Sequence, residues 1–148
     1  SVTGVQTCAL PIWLKIRIRD HDVHPGQPCP FSSAGRCTIY AERPVDPCRN
    51  FVCGWLTPTS PLPDWMRPDR SDLIFLPASF VWRTIPVDVA VAVGTRPKEK
   101  ARAWLEAFSR DMRRPLLLQS DGEWHAHGPP QFLREMVERI SAGLDPTR

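Results

Sequence analysis

The sequence predicts an α+β protein in which an irregular, proline-rich segment with clustered cysteines precedes a small layer of strands and helices. Most of the 17 prolines lie between Pro25 and Pro86, where they favour short elements and fixed turns. Four of the five cysteines fall between Cys29 and Cys53. After residue 72, short apolar runs alternate with stretches whose apolar residues recur at helical spacing, which is typical of an α+β layer.

The first twelve residues, SVTGVQTCALPI, look like the translation of a sequencing-library adapter. We therefore expect residues 1–12 to be an artefactual leader that takes no part in the fold, and Cys8 with them. On this interpretation the natural N-terminus is missing, and the protein fragment begins near Trp13. The rest of the chain is predicted to form a cysteine-cluster metal-binding module, residues 13–60, and a small α+β region, residues 61–148.

Charge and hydropathy exclude several classes of partner. The net charge of +3 is mild, and the charged residues alternate in sign, so we expect no nucleic-acid partner. No apolar run approaches the ~20 residues needed to cross a bilayer, so no membrane partner is expected. Nothing indicates the oxidising compartment that disulfides need, which favours a cytoplasmic protein.

The N-terminal module is expected to contain little regular structure. Residues 13–19, WLKIRIR, alternate apolar and basic side chains and predict a strand with one solvent-exposed face. Residues 20–36 are rich in Pro, Gly, Ser and Asp and predict a loop. The cysteine segment follows to Leu56, and the proline-rich residues 57–72 predict a connector between the two halves.

The C-terminal region is predicted to run strand, strand, helix, strand, strand, helix. The first two strands are rich in branched residues. Each of the two helices carries an apolar stripe at helical spacing. Asp121-Gly122 is a typical hairpin turn, and Gly143 is a plausible C-cap of the second helix. The predicted elements are strands at 72–78 and 87–94, a helix at 96–114, a hairpin at 115–128 and a helix at 129–144.

The cysteines Cys29, Cys37, Cys48 and Cys53 are separated by seven, ten and four residues. A tetrahedral metal site needs four soft donors at ~2.3 Å from one ion, and turns bring backbones together more readily than regular elements do. Each of the four has a proline or glycine within two positions. Five positions along a helix rotate a side chain about 140° past a full turn, so Cys48 and Cys53 share an ion only if a helix ends between them. Gly54 favours such an end.

Neighbouring charges leave several interpretations of these thiols open. Arg36, Arg43 and Arg49 lie beside the cysteines, where cations lower a thiol pKa and can donate hydrogen bonds to sulfur. Arg43 and Arg49 are equally compatible with solvated surface positions or with exposed ion pairs to Glu42 and Asp46. The spacing lacks the Cys-x2-Cys pairs of a zinc ribbon. A metal site, disulfides, and buried or redox-active thiols therefore all remain possible on spacing alone.

The stretch GRCTIYAERPVDPCRNFVCGWL resembles the bacterial zinc/iron-chelating cysteine-cluster family, also called YkgJ-like. The family motif runs Gly and Cys, Ile-Tyr, Arg-Pro, Cys-Arg, an aromatic residue and Cys. The counterparts here are Gly35 and Cys37, Ile39-Tyr40, Arg43-Pro44, Cys48-Arg49, Phe51 and Cys53. The motif covers about a fifth of the chain.

The resemblance implies a metal-binding protein with zinc or iron as the bound species, including an iron–sulfur cluster. It implies metal ligands at Cys29, Cys37, Cys48 and Cys53, with His21 and His24 as spare donors. The role would be structural or metal-carrying, and the alternative is an iron–sulfur or zinc-dependent modifying enzyme. Family members usually carry an upstream Cys-x-x-Cys-Cys group that is absent here, so the four cysteines form a whole site or half of one.

Other polar residues point to chemistry only weakly. His125 and His127 lie two apart on a predicted strand, as a metal pair would, although packing or a solvent-facing pair is the simpler interpretation. Asp88 is expected on the exposed face of a strand. No phosphate-binding loop, nucleophile elbow or pair of carboxylates at a telling spacing occurs, so no catalytic residues are predicted.

We also expect the proline-rich half to lose its order without metal, because it is poor in apolar residues.

Overall fold

The protein has an α+β fold, which confirms the predicted class. The structure is a computed structural model that describes residues 16–24, 29–34, 36–93 and 95–148. The predicted leader, residues 1–12, and the first part of the predicted strand at 13–19 lie outside the described residues.

Short hairpins occupy the N-terminal half and longer elements the C-terminal half. Two-stranded sheets are formed by β1 with β2 and by β3 with β4, and a four-stranded sheet by β5 to β8. The strands are β1 (Ile16–Ile18), β2 (His21–Val23), β3 (Ser32–Ser33), β4 (Arg36–Cys37), β5 (Leu73–Trp82), β6 (Ile85–Ala92), β7 (Leu116–Ser120) and β8 (Glu123–His127). The α-helices are α1 (Pro68–Ser71), α2 (Glu99–Met112) and α3 (Pro130–Ser141).

The main sheet has the order β5-β6-β7-β8, the same as the order of these strands along the chain. β6 and β7 are parallel because α2 carries the chain back between them, and both outer pairs are antiparallel. The predicted order of two strands, a helix, two strands and a helix is the order found from Leu73 to Ser141.

Each face of this sheet is covered by one of the two long helices. Alternate residues of the strands point to opposite faces, so the sheet contributes to two separate apolar clusters. The cluster under α3 contains Trp82, Val87, Val89, Val91, Leu117, Phe132 and Met136. The cluster under α2 contains Met66, Leu73, Phe75, Ala90, Ala101, Leu105, Leu116 and Leu118.

The connector packs against the layer. Trp55, Leu62 and Trp65 pack against the α2-side cluster, and Met66 is a fully buried part of it. Residues 55–66 therefore add apolar side chains to a core that belongs mainly to the C-terminal region. No helix within the described ranges is long and apolar enough to cross a membrane.

The predicted loop at residues 20–36 is wrong in two places. His21–Val23 forms β2 and pairs with β1, with Ile16 opposite Val23. Val23 is fully buried against Ile18, and this single inward valine in a polar run gave too short a pattern to predict a strand. Ser32 and Ser33 form β3 and pair with β4.

Asp88 does not lie on an exposed face, as the sequence led us to expect. It is 1% exposed and binds Arg114, whose Nε and Nη2 donate to its carboxylate at 2.9 and 2.5 Å. The backbone N–H of Ala78, in the irregular part of β5 between Leu76 and Phe80, donates to the same carboxylate at 2.8 Å. A buried carboxylate is tolerated here because it is paired and hydrogen-bonded.

Candidate metal centre

Cys29 and Cys37 lie at the two ends of the β3–β4 hairpin. The carbonyl of Cys29 accepts a hydrogen bond from the backbone N–H of Ser32 at 3.0 Å, which forms a turn just before β3. Cys37 is the last residue of β4 and lies opposite Ser32. Proline and serine around Cys29 thus form a local turn, as expected of a segment that presents thiols from loops.

Cys48 lies on a single irregular helical turn, Val45–Arg49. Asp46 is extended at φ −113°, ψ 127°, so the turn is kinked before Pro47. The N–H of Phe51 donates to the carbonyl of Pro47 at 2.9 Å, and residues 51–53 have no regular structure. The helix therefore ends between Cys48 and Cys53, as the spacing argument required.

Cys48 is buried in a small apolar cluster with the β1–β2 hairpin. Ile18 and Val23 form the rest of its buried part, and Cys29 and Phe31 pack against it. This cluster brings the first and third predicted ligands together, although they are far apart along the chain. It also gives the cysteine segment apolar contacts that composition alone did not predict.

The pKa of the Cys48 thiol is shifted by its burial and by four charged groups around it. Burial raises the pKa of the Cys48 thiol, and negative charge on Cys29 and Cys37 raises it further, whereas the positive charges of Arg43 and Arg19 lower it. Charges act in this way only over short distances, so Cys48 has two thiols and two guanidinium groups as neighbours. Arg19 was not among the arginines that the sequence indicated, because it lies far upstream in a different hairpin.

Cys53 is placed apart from the other three cysteines. It is 1% exposed and packs with Ile74 of β5, against Phe51 and Trp55. The next residue, Gly54, donates its N–H to the carbonyl of Phe75 at 2.6 Å. Cys53 is therefore part of the contact between the cysteine segment and the main sheet.

Gly54 has a different role from the one expected of a helix end. A Cβ at this position would lie 2.6 Å from Cδ1 of Phe75 and 2.7 Å from its carbonyl oxygen. Glycine is needed because the chain approaches β5 too closely for any side chain, and not because the backbone conformation requires it.

The thiols are near neighbours but not a finished coordination shell. Within residues 16–24, 29–34, 36–93 and 95–148, no three His, Cys, Asp or Glu side chains are close enough to hold a metal ion together. Cys29, Cys37, Cys48 and Cys53 are all free thiols. The arrangement thus offers Cys29 packed against buried Cys48, with Cys37 at the other end of the same hairpin and Cys53 buried in a different cluster.

The arginines beside the cysteines mostly bind backbone carbonyls. Arg49 donates to the carbonyls of Arg43 and Ala41, both at 3.1 Å, and Arg43 donates to the carbonyl of Tyr40 at 2.6 Å. Arg43 also stacks on the Tyr40 ring, with 3.8 Å between its guanidinium carbon and the ring centroid. Their guanidinium groups therefore hold together the loop 40–49, which carries Cys48.

Arg43 provides the observation that tests whether these residues suit a metal. Its Nε is buried and has no hydrogen-bond partner among the described residues, while its positive charge acts on Cys48. A buried N–H without an acceptor is costly, and a thiolate sulfur is a suitable acceptor. A cation at this position would hold the cysteines as thiolates, so the donor set and this orphaned N–H both fit a thiolate-bound metal.

The predicted spare donors have other contacts. His21 packs edge-to-face on the Phe31 ring, with 5.6 Å between the centroids, and His24 is half-buried.

The second pair of histidines, His125 and His127, is half-buried on β8 and faces α2. His127 lies 3.7 Å from Glu106 of α2, which is too long for a hydrogen bond.

Comparisons with family models, with curated proteins and with solved structures gave no match to this chain.

Proposed function

We propose that this protein chelates zinc or iron through the cysteine segment, in a structural or metal-carrying role. Cys29, Cys37 and Cys48 are the proposed ligands, and metal binding would have to draw them closer together than they lie in this structure. The observation that carries the proposal is that Cys29 packs against the buried cluster of Cys48, and that Cys37 ends the hairpin that follows Cys29. Soft sulfur donors select zinc and iron.

The surrounding charge supports the same function. Three thiolates around a divalent cation leave a net negative charge, which Arg19 and Arg43 would offset from positions near Cys48. The unpartnered Nε of Arg43 would gain a sulfur acceptor. When bound, the metal would supply cross-linking of the hairpin and the loop 40–49, and ionised cysteines would be its ligands.

The role predicted for Cys53 stays a prediction, because this residue packs in a different apolar cluster. Membership of the zinc/iron-chelating cysteine-cluster family is proposed on the motif alone. Free thiols are consistent with a reducing compartment, so the proposal places the protein in the cytoplasm.

The test is metal content measured on four single variants and one control. The purified chain is reconstituted with zinc or with iron under anaerobic conditions, and bound metal is measured by elemental analysis and absorption spectra. We expect C29S, C37S and C48S each to lose most of the metal. C53S reports separately on the fourth position, and C8S is the matched control that should retain full stoichiometry.

Full stoichiometric metal in both C37S and C48S would contradict the proposal.

The affinity for the metal should also depend on pH in a defined direction. Since burial raises the pKa of the Cys48 thiol, a cation must displace its proton, and affinity should fall as the pH falls.

A further inference from the structure

Cys29 and Cys48 are two thiols from different elements that pack in one place. Cys48 is 9% exposed and lies in a buried cluster with Ile18 and Val23, and Cys29 packs against this cluster. Both residues are free thiols. Within the described ranges no three metal-binding side chains lie close enough together to hold an ion, but a disulfide needs only two thiols.

The β1–β2 hairpin contacts both of the segments that carry these thiols. Arg19, in the turn of this hairpin, lies over the Phe31 ring, with 5.2 Å between its guanidinium carbon and the ring centroid. Its Nη2 also donates to the carbonyl of Glu42 at 3.4 Å. Phe31 follows Cys29 closely, and Glu42 belongs to the loop that carries Cys48. The first hairpin therefore connects the two segments and limits the distance between their thiols.

Distance along the chain alone would favour other pairs of cysteines. Four residues separate Cys48 from Cys53, and seven separate Cys29 from Cys37. Short loops cost less entropy to close than long ones. In the structure, however, Cys53 is buried in a different cluster with Ile74, and Cys37 is not among the described residues that pack against the Cys48 cluster. The fold thus favours Cys29 with Cys48 over the pairs that an unfolded chain would form first.

We propose that Cys29 and Cys48 are a redox-sensitive pair that hydrogen peroxide converts into a disulfide. Cys29 is half-buried and can be reached by a small oxidant. Its sulfur attacks one peroxide oxygen, the O–O bond breaks, and a sulfenic acid and one water form. The Cys48 sulfur then attacks the Cys29 sulfur, the S–O bond breaks, and a second water leaves. Two thiols and one peroxide give one disulfide and two waters, which take up both thiol protons.

The disulfide would replace a bound metal as the cross-link between the same two segments. It uses two of the three proposed ligands, so oxidation should release the metal. This consequence rests on the proposed function, whereas the choice of the pair rests on packing alone. In a reducing compartment a disulfide of this kind is typical of a transient, redox-sensing role and not of a permanent cross-link.

Peptide mapping identifies which cysteines are joined. The purified chain is treated with equimolar hydrogen peroxide, both as isolated and after loading with zinc. The remaining thiols are alkylated, and the chain is digested without reduction. Trypsin and a protease that cuts after glutamate place successive cysteines of the segment on different peptides, because Arg36, Glu42 and Arg49 lie between them.

We expect a link between Cys29 and Cys48 to be the main product in the folded protein. Zinc released from the loaded sample should rise in parallel with this link. When the chain is unfolded in urea before oxidation, the main product should change to the link between Cys48 and Cys53, because loop closure then decides the pairing.

Single variants supply the controls. C29S and C48S should each lose the link, and C53S should keep it. V23A removes part of the buried cluster and should lower the share of the Cys29–Cys48 link. V45A is the matched control, since Val45 is exposed and close to Cys48 in the chain, and it should leave this share unchanged.

The inference is overturned if another pair is the main product, if urea leaves the product pattern unchanged, or if peroxide gives no disulfide. Zinc content measured on the same samples decides the proposed function separately. A chain that forms the expected link but binds no zinc contradicts the function alone. A chain that loses zinc binding in C29S and C48S but forms a different link contradicts this inference alone.

Discussion

The cysteine segment and the C-terminal layer are held together by different forces. The layer consists of a four-stranded sheet with an apolar cluster under each long helix. In the part of the segment that the structure describes, there are two short hairpins and a small buried cluster of Ile18, Val23 and Cys48. Arginine side chains that donate to backbone carbonyls hold the loop 40–49. Apolar burial is the dominant favourable term in folding, so the layer should be the stable unit.

This difference indicates which region a bound metal would stabilise more. A layer that already buries two apolar clusters gains little from an added cross-link, whereas a segment with one small cluster gains much. The segment is nevertheless not devoid of apolar contacts, since residues 51–66 pack on the sheet. Loss of order without metal therefore remains a prediction for residues 29–50, and the following variants test the contrast.

Phe132→Ala should have the largest effect, because it breaks the layer on which the segment depends. Phe132 is fully buried, and its ring lies edge-to-face at 5.3 Å from Trp82. We expect the free energy of unfolding to fall by about 4 kcal/mol in urea denaturation. Val137→Ala, on an exposed part of the same helix, should change it by less than about 0.5 kcal/mol. Equal effects of the two substitutions would refute the proposed core.

Asp88→Asn should follow, since it removes the charge that balances Arg114 inside the layer. We expect a loss of about 3 kcal/mol in the same denaturation experiment, because the guanidinium would lose its buried partner. The exposed pair of Arg110 with Asp111 offers the matched comparison, and D111N should be nearly neutral. A neutral D88N would show that the pair contributes nothing to the layer.

Gly54→Ala acts on the joint between the two regions. The added Cβ would meet the ring and carbonyl of Phe75, and we expect a cost of about 2 kcal/mol from overpacking. Hydrogen exchange should increase across residues 36–54, while the β6–β7 pairing stays protected. Gly122→Ala is the contrast: it has open space but φ of +75°, so it should cost about 1 kcal/mol without loosening the segment.

The smallest expected effect is a pH dependence that belongs to the layer alone. Burial lowers the pKa of His127; Glu106 opposes this shift, and the charges of Arg102 and His125 reinforce it. The folded protein therefore prefers neutral His127, and the unfolded chain binds a proton first as the pH falls. Stability should be fully present above about pH 6.5 and should decrease as the pH falls through the lowered pKa.

Urea denaturation of dilute protein at a series of pH values checks this dependence. H127Q should reduce the loss at acidic pH, whereas H21Q, in the cysteine segment, should leave it unchanged. A slope that is the same in wild type and H127Q would exclude His127 as its source.

Local patterns in the sequence determined much of the layer. The apolar run at 87–94, the helical stripe at 96–114 and the Asp121-Gly122 turn each predict their element, because strand, helix and hairpin propensities act between near neighbours. The cysteine spacing predicted a helix end between Cys48 and Cys53 on the condition that both bind one ion, and that condition stays a prediction. Each of these inferences needed only a few consecutive residues.

The tertiary structure alone decided the contacts between distant residues. Asp88 is buried because Arg114, 26 positions away, reaches it, and Arg19 lies near Cys48 because the first hairpin packs on that loop. Cys53 faces Ile74 rather than the other thiols, since Gly54 binds the edge of β5. Such placements depend on which surfaces meet once apolar side chains are buried, and a linear pattern does not record that choice.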